Sequence, residues 1–194
     1  RSVDVHPPAA GPATTPAPTG SSRPEAWLRG PVDGVPDELM PVAHSLLDGL
    51  EDMERAVAGL STGQIWMRPG GVASIGFHLR HVRGSTDRLL TYARGDALSD
   101  AQMATLRSEA EPGDPPATAE ALLEGVREAV DAALGVLRAT DPAALGEARK
   151  VGRAGLPSTV RGLLFHVAEH TRRHAGQVVA TAGVVRGPEP RPAS

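Results

Sequence analysis

Arg161 to Val179 reads RGLLFHVAEHTRRHAGQVV, and its interpretation decides the fold. It holds three of the seven histidines, His166, His170 and His174, spaced four apart. No proline interrupts it, Ser158 or Thr159 can cap its start, and apolar residues recur at Val160, Leu163, Leu164, Val167 and Val178. That pattern predicts an amphipathic helix, here running to about residue 182. At about 100° per residue, side chains four apart lie on one face. His170 and His174 therefore point the same way, one turn apart. Leu163 and Val167 lie on or beside that line, so the two imidazoles face the interior. Buried polar groups need partners, and two adjacent inward imidazoles suit one metal ion.

Working outward, three more long helices are expected. Asp37 to about Leu60 carries an apolar stripe at Leu39, Val42, Leu46, Leu47, Leu50, Met53, Val57 and Leu60. His44 lies off it and reads as a solvated or rim residue. Ser74 to Gly95 is a second helix, buried through Ile75, Leu79, Val82, Leu89 and Ala93, with His78 and His81 on one flank. Thr118 to about Thr140 is a third, with Leu122, Val126, Val130, Leu134 and Leu137 as its core line. Each helix has one apolar face, and no strand signal is strong. The expected fold is all-α: a four-helix bundle with a short extra helix, capped by Ser99, near residues 98–109.

The intervening stretches are read as connectors. Residues 61–73 form a loop, with Trp66 and Met67 covering one end of the core. Residues 151–159 are an extended connector or short hairpin. Trp27 and Leu28 are expected to pack onto the domain. Residues 1–24 form a disordered Pro/Ala-rich leader, residues 25–185 the bundle and residues 186–194 a disordered tail. Acidic residues concentrate over 96–131 and basic ones over 138–186, so the third and fourth long helices are candidates for mutual attraction.

Composition narrows the function. Net charge is −3, which gives no general footprint for nucleic acid. Five aromatic residues are too few for a base-stacking platform. No apolar run is long enough to span a membrane, and no secretory pattern appears. The absence of cysteine rules out a disulfide framework, a thiolate ligand and a cysteine nucleophile, and fits a cytoplasmic protein. Any metal must then use histidine, carboxylate or water. Imidazole suits zinc, nickel and iron. Three protein ligands with one open position are the usual arrangement of a catalytic site. His170 and His174 can supply two ligands, and a histidine of the second helix the third. Periodicity there favours His78 over His81 as the inward residue.

Two segments resemble the DinB family of four-helix-bundle metalloproteins. SIGFHLRHVRGSTDRLL is similar to the family's Ser-x-Gly-aromatic-x-x-x-His-Leu pattern, and LLFHVAEHTRRHAGQ to its Leu-Leu-x-His-Val-x-x-His-x-x-x-His-x-Gly-Gln motif. AWLRGPVDGV and LTYARG resemble an uncharacterised subgroup. The resemblance implies a divalent metal, zinc or nickel with iron as a further option, held by His81, His170 and His174. It implies a homodimer, and a small-molecule thiol or electrophile as substrate. The implied activity is a thiol-dependent S-transferase using a cosubstrate like bacillithiol or mycothiol. The alternatives are a metal-dependent hydrolase or a non-catalytic metal-binding dimeric module. The catalytic residues are left unassigned. Tyr92, Arg88 and Arg173 are candidates to orient the thiol. His78 and His166 are candidates for supporting roles, Glu169 for a surface charge, Gly176 for close helix packing and Gln177 for a hydrogen bond near the site. Where the family often has a second histidine before the closing motif, this chain has Arg173.

Overall fold

The structure is a computed structural model and describes residues 23–187. The leader up to residue 22, with His6, and the tail from residue 188 lie outside the described residues. Among the described residues there are six α-helices: α1 (Met40–Val57), α2 (Thr62–Trp66), α3 (Ile75–Arg94), α4 (Asp100–Ser108), α5 (Ala119–Ala139) and α6 (Val160–Arg186). A two-stranded antiparallel hairpin, β1 (Ala148–Val151) and β2 (Leu156–Thr159), leads into α6.

The four long helices form the bundle. α1 packs on α6 and α5, and α3 packs on the same two helices from the other side. The order around the bundle is thus α1, α6, α3, α5. Its core is the set of apolar stripes read from the sequence, with Leu46, Met53, Leu79, Val82, Val126, Leu164 and Val178 inaccessible to solvent or nearly so. α5 and α6 stand diagonally. The opposite charges of their segments therefore do not hold them together. Arg127 of α5 instead pairs with Glu54 of α1 at 2.8 Å.

Local chemistry sets the helix ends. The side chains of Ser74, Ser99, Thr118 and Thr159 each accept a backbone N–H in the first turn of α3, α4, α5 and α6. Gly95, at φ +91°, ends α3 in the left-handed conformation that glycine adopts without strain. The predicted loop after α1 contains α2, which forms because Ser61 and Gln64 satisfy each other's backbone N–H groups reciprocally. The first helix begins later than expected, at Met40, after a 3-10 turn over Asp37–Leu39.

Two packing expectations need correction. Trp27 and Leu28 are exposed, at 58% and 59%; Ala26 is the buried residue of the lead-in, and its N–H donates to Asp48 at 2.6 Å. Met67 is exposed too, whereas Trp66 packs against the core and donates its indole N–H to the Ala117 carbonyl at 2.8 Å. Gly76 makes room for that indole: a Cβ there would lie 2.8 Å from the ring.

Candidate metal centre

α3 and α6 run antiparallel, and their histidines meet in register. His78 stands against His174, with the two Nδ1 atoms 2.9 Å apart, and His81 against His170, with the two Nε2 atoms 2.9 Å apart. The i,i+4 spacing on α6 stacks His170 and His174 with ring centroids 4.6 Å apart, and His174 is equally close to His81. One ring nitrogen from each of His81, His170 and His174 lies within 4.8 Å of the others, so these three side chains form a group that can hold a metal ion. The order that periodicity gave for α3 holds for burial alone. His78 is the more buried, at 7%, but it is His81 that joins the two α6 rings.

The donor chemistry fits a cation. Burial pushes His78 down to about 4, helped by the neighbouring His81. Burial likewise lowers His170 to about 4 and His174 to about 3, with charge on the surrounding imidazoles adding to the effect. All three rings are neutral at pH 7, the state in which imidazole nitrogen donates a lone pair. Within the histidine group one buried nitrogen is unmet: His170 Nδ1 has no hydrogen-bond partner. In a group of packed imidazoles, an orphaned nitrogen is the condition that a bound ion or its ligand sphere relieves.

His81 makes the contact that the sequence reading missed. Its Nδ1 donates to Glu109 Oε2 at 2.7 Å, and Arg88 Nη1 donates to Glu109 Oε1, also at 2.7 Å. Glu109 follows the last turn of α4 and is 3% exposed. In the sequence it is one acid among many, and no spacing marks it as turned inward. Arg88 is itself buried, and its Nη1 is engaged by Glu109.

The remaining candidates lie at the rim. His166 stands beside His170 at 5.4 Å between centroids, and its Nδ1 pairs with Glu169 at 3.1 Å. Glu169 also pairs with Arg173, which holds its carboxyl below the usual range. Its role is that of an outer charge. Phe77 stacks on His81 with centroids 5.4 Å apart. Gly176 and Gln177 are exposed, and a Cβ on Gly176 would meet nothing within 4 Å, so neither packs a helix close nor supports the centre. His44 Nε2 donates to the Gly30 carbonyl, 2.9 Å away, as a rim residue. Tyr92 lines a separate groove beside Met103, Leu106 and Lys150.

A helical bundle with three histidines able to hold a metal between two of its helices is the class of protein that this fold and site define. A model of the DinB superfamily matches residues 45–178. That span covers most of the chain and all three histidines, and the chain belongs to this superfamily, whose members are metal-binding. No curated protein matches the chain. Among the described residues, no helix is long and apolar enough to cross a membrane.

Proposed function

We propose that the protein is a metal-dependent enzyme that uses His81, His170 and His174 as metal ligands, and that its reaction is transfer to or from a low-molecular-weight thiol. The observation that carries the reading is the partial exposure of the three-histidine group. All three rings are neither sealed nor fully open. Structural sites close with four protein ligands, whereas catalytic ones keep a position free. A divalent metal, zinc or nickel with iron as the third option, would supply Lewis acidity, lowering the pKa of a bound thiol or water.

The chain's own residues do the rest. The two α6 histidines present neutral nitrogen from one rigid helix, and His81 presents a ring nitrogen from the facing one. Phe77 shields one side of His81, while His166, Glu169 and Arg173 form a polar lip beside His170. With no cysteine in the chain, sulfur chemistry needs a thiol cosubstrate such as bacillithiol or mycothiol. Its S–H proton would pass to solvent, and its sulfur would bond to the electrophilic carbon as the bond from that carbon to its leaving group breaks and the leaving group departs with the electron pair. The same reading makes the protein a cytoplasmic homodimer. The exposed Phe165, Val179 and Val184 of α6 supply apolar surface for pairing.

The test is elemental analysis of untagged protein, followed by turnover with bacillithiol, mycothiol or glutathione and an electrophile. About one divalent ion per chain is expected, with activity lost in His170→Ala. Metal without turnover of any thiol, but with ester or amide hydrolysis, would establish the hydrolase alternative. Metal with neither, and a large drop in melting temperature on chelation, would make it a non-catalytic metal-binding module.

A further inference from the structure

We propose that Glu109 is a positioning residue of this centre: it fixes the tautomer of His81 and couples α4 to the metal. The inference rests on the metal reading above.

Its basis is a cavity cut for one carboxylate. The other acids of this region, Asp100, Glu111 and Asp114, are exposed, but Glu109 is buried, and a buried carboxylate needs compensation. It has two partners, one per oxygen: Arg88 and His81. Room for it comes from Gly84, where a Cβ would run into Glu109 Oε1 and lie 2.8 Å from Arg88 Nη1. His81, Gly84 and Arg88 are spaced three and four apart, so they share one face of α3. A salt bridge alone would require only Arg88.

The second oxygen has a chemical consequence. A carboxylate only accepts hydrogen bonds, so the facing Nδ1 of His81 must carry a hydrogen. A neutral imidazole then has its lone pair at Nε2, the atom 2.9 Å from His170 Nε2. A carboxylate in this position orients a metal-ligating histidine and raises its basicity. The other two rings lack one: His174 Nδ1 meets His78, and His170 Nδ1 meets nothing. Among the described residues, Glu109 is the carboxylate hydrogen-bonded to the group.

Glu109 also tethers α4. No residue within Asp100–Ser108 is buried. Gln102 donates to Asp87 and Thr91 at 2.8 Å each, and Arg80 reaches the Pro112 carbonyl at 3.0 Å. Fixing His81 by a metal fixes Glu109, so the backbone of α4 gains protection when metal binds.

The experiment titrates metal-free protein with Co2+, followed by its ligand-field absorption, and with Zn2+ by competition. Hydrogen exchange of residues 100–111 is recorded with and without Zn2+. Glu109→Gln is expected to weaken metal binding about ten- to a hundredfold, to alter the Co2+ spectrum and to abolish the gain in α4 protection. Glu109→Asp keeps a charge beside Arg88 but draws it back from His81. It is expected to show the same losses, and it carries the test if Glu109→Gln does not fold. Arg80→Ala loosens the same end of the helix without touching His81 and is expected to leave affinity and spectrum unchanged. Wild-type affinity and spectrum in either Glu109 variant would overturn the proposal, as would an equal loss in Arg80→Ala. If the wild type takes up neither ion, the metal reading itself fails, and this inference with it.

Discussion

α1 and α5 differ from α3 and α6 in what they bury. Every buried side chain of α1 and α5 is apolar, apart from their glycines. α3 and α6 bury His78, Ser85, Thr86, Arg88, Thr91, Thr171 and Thr181 as well. All four helices are of similar build and share one core. The difference therefore lies in the side chains and not in the scaffold. Apolar burial is non-directional and tolerates small shifts, so the α1–α5 side can hold the bundle together. Buried polar groups demand specific partners, so the α3–α6 side holds particular atoms at particular separations. One side supplies stability, and the other uses part of it to assemble neutral imidazoles.

The largest expected effect therefore falls on the apolar side. Met53 is fully buried in α1. Met53→Ala should lower stability by about 2–5 kcal/mol, through lost transfer free energy and the cavity left behind. The measurement is the urea midpoint, with the slope unchanged. A loss under about 0.5 kcal/mol, the range of ordinary surface changes, would mean that this side does not carry the fold.

The same division explains what could be read from the sequence. The stripes of α1 and α5 are periodic, and periodicity survives without coordinates. The bundle and its core could thus be assigned from Leu46, Met53, Val126 and Val130. The His170–His174 pair was legible for the same reason, since i,i+4 spacing fixes a shared face. Which α3 histidine joins them was not legible from spacing. That depends on how α3 is rotated against α6, which is a property of two helices together. The resemblance, not the periodicity, pointed to His81. Glu109 carries no pattern at all. Its burial results from the path of the chain after α4 and from the missing Cβ of Gly84, and neither leaves a periodic trace. α2 is different: the Ser61–Gln64 capping box that starts it is a signal the sequence does carry, but the helix is a single short turn beside Pro69-Gly70-Gly71, and the stretch as a whole reads as loop.

The next effect separates the two sides by pH. His78, His170 and His174 are held well below the ordinary histidine value of 6.5, at about 4, 4 and 3. The folded chain therefore binds fewer protons than the unfolded chain between those values and 6.5. Stability rises with pH wherever the unfolded state binds more protons. Metal-free protein should thus lose stability as pH falls from about 6.5 toward 4, and be insensitive to these groups above about 7. The check is a series of thermal melts from pH 4.5 to 8 with chelator present. His78→Leu removes one of the three groups and should flatten the slope. An unchanged slope would show that the imidazoles are not buried at this cost.

The smallest effect is expected at the rim of the apolar side. There Arg127 meets Glu54 and Glu120 at 2.8 Å and Glu124 at 3.1 Å. The hydrogen bonds to Glu120, Glu54 and Glu124, in that order of size, hold its guanidinium firmly charged. The cluster looks stronger than the Arg88–Glu109–His81 set, with more partners at similar distances. Its setting is different. About a third of the Arg127 side chain and most of the Glu120 side chain face solvent, where water and salt screen the attraction. Arg127→Met should cost less than about 1 kcal/mol, and the cost should shrink further as salt is raised. It should leave Co2+ affinity untouched. The measurement is a pair of urea titrations at low and high salt. If Arg127→Met cost as much as Met53→Ala, charge and not apolar burial would be closing α1 onto α5. The division of labour between the two halves of the bundle would then be wrong.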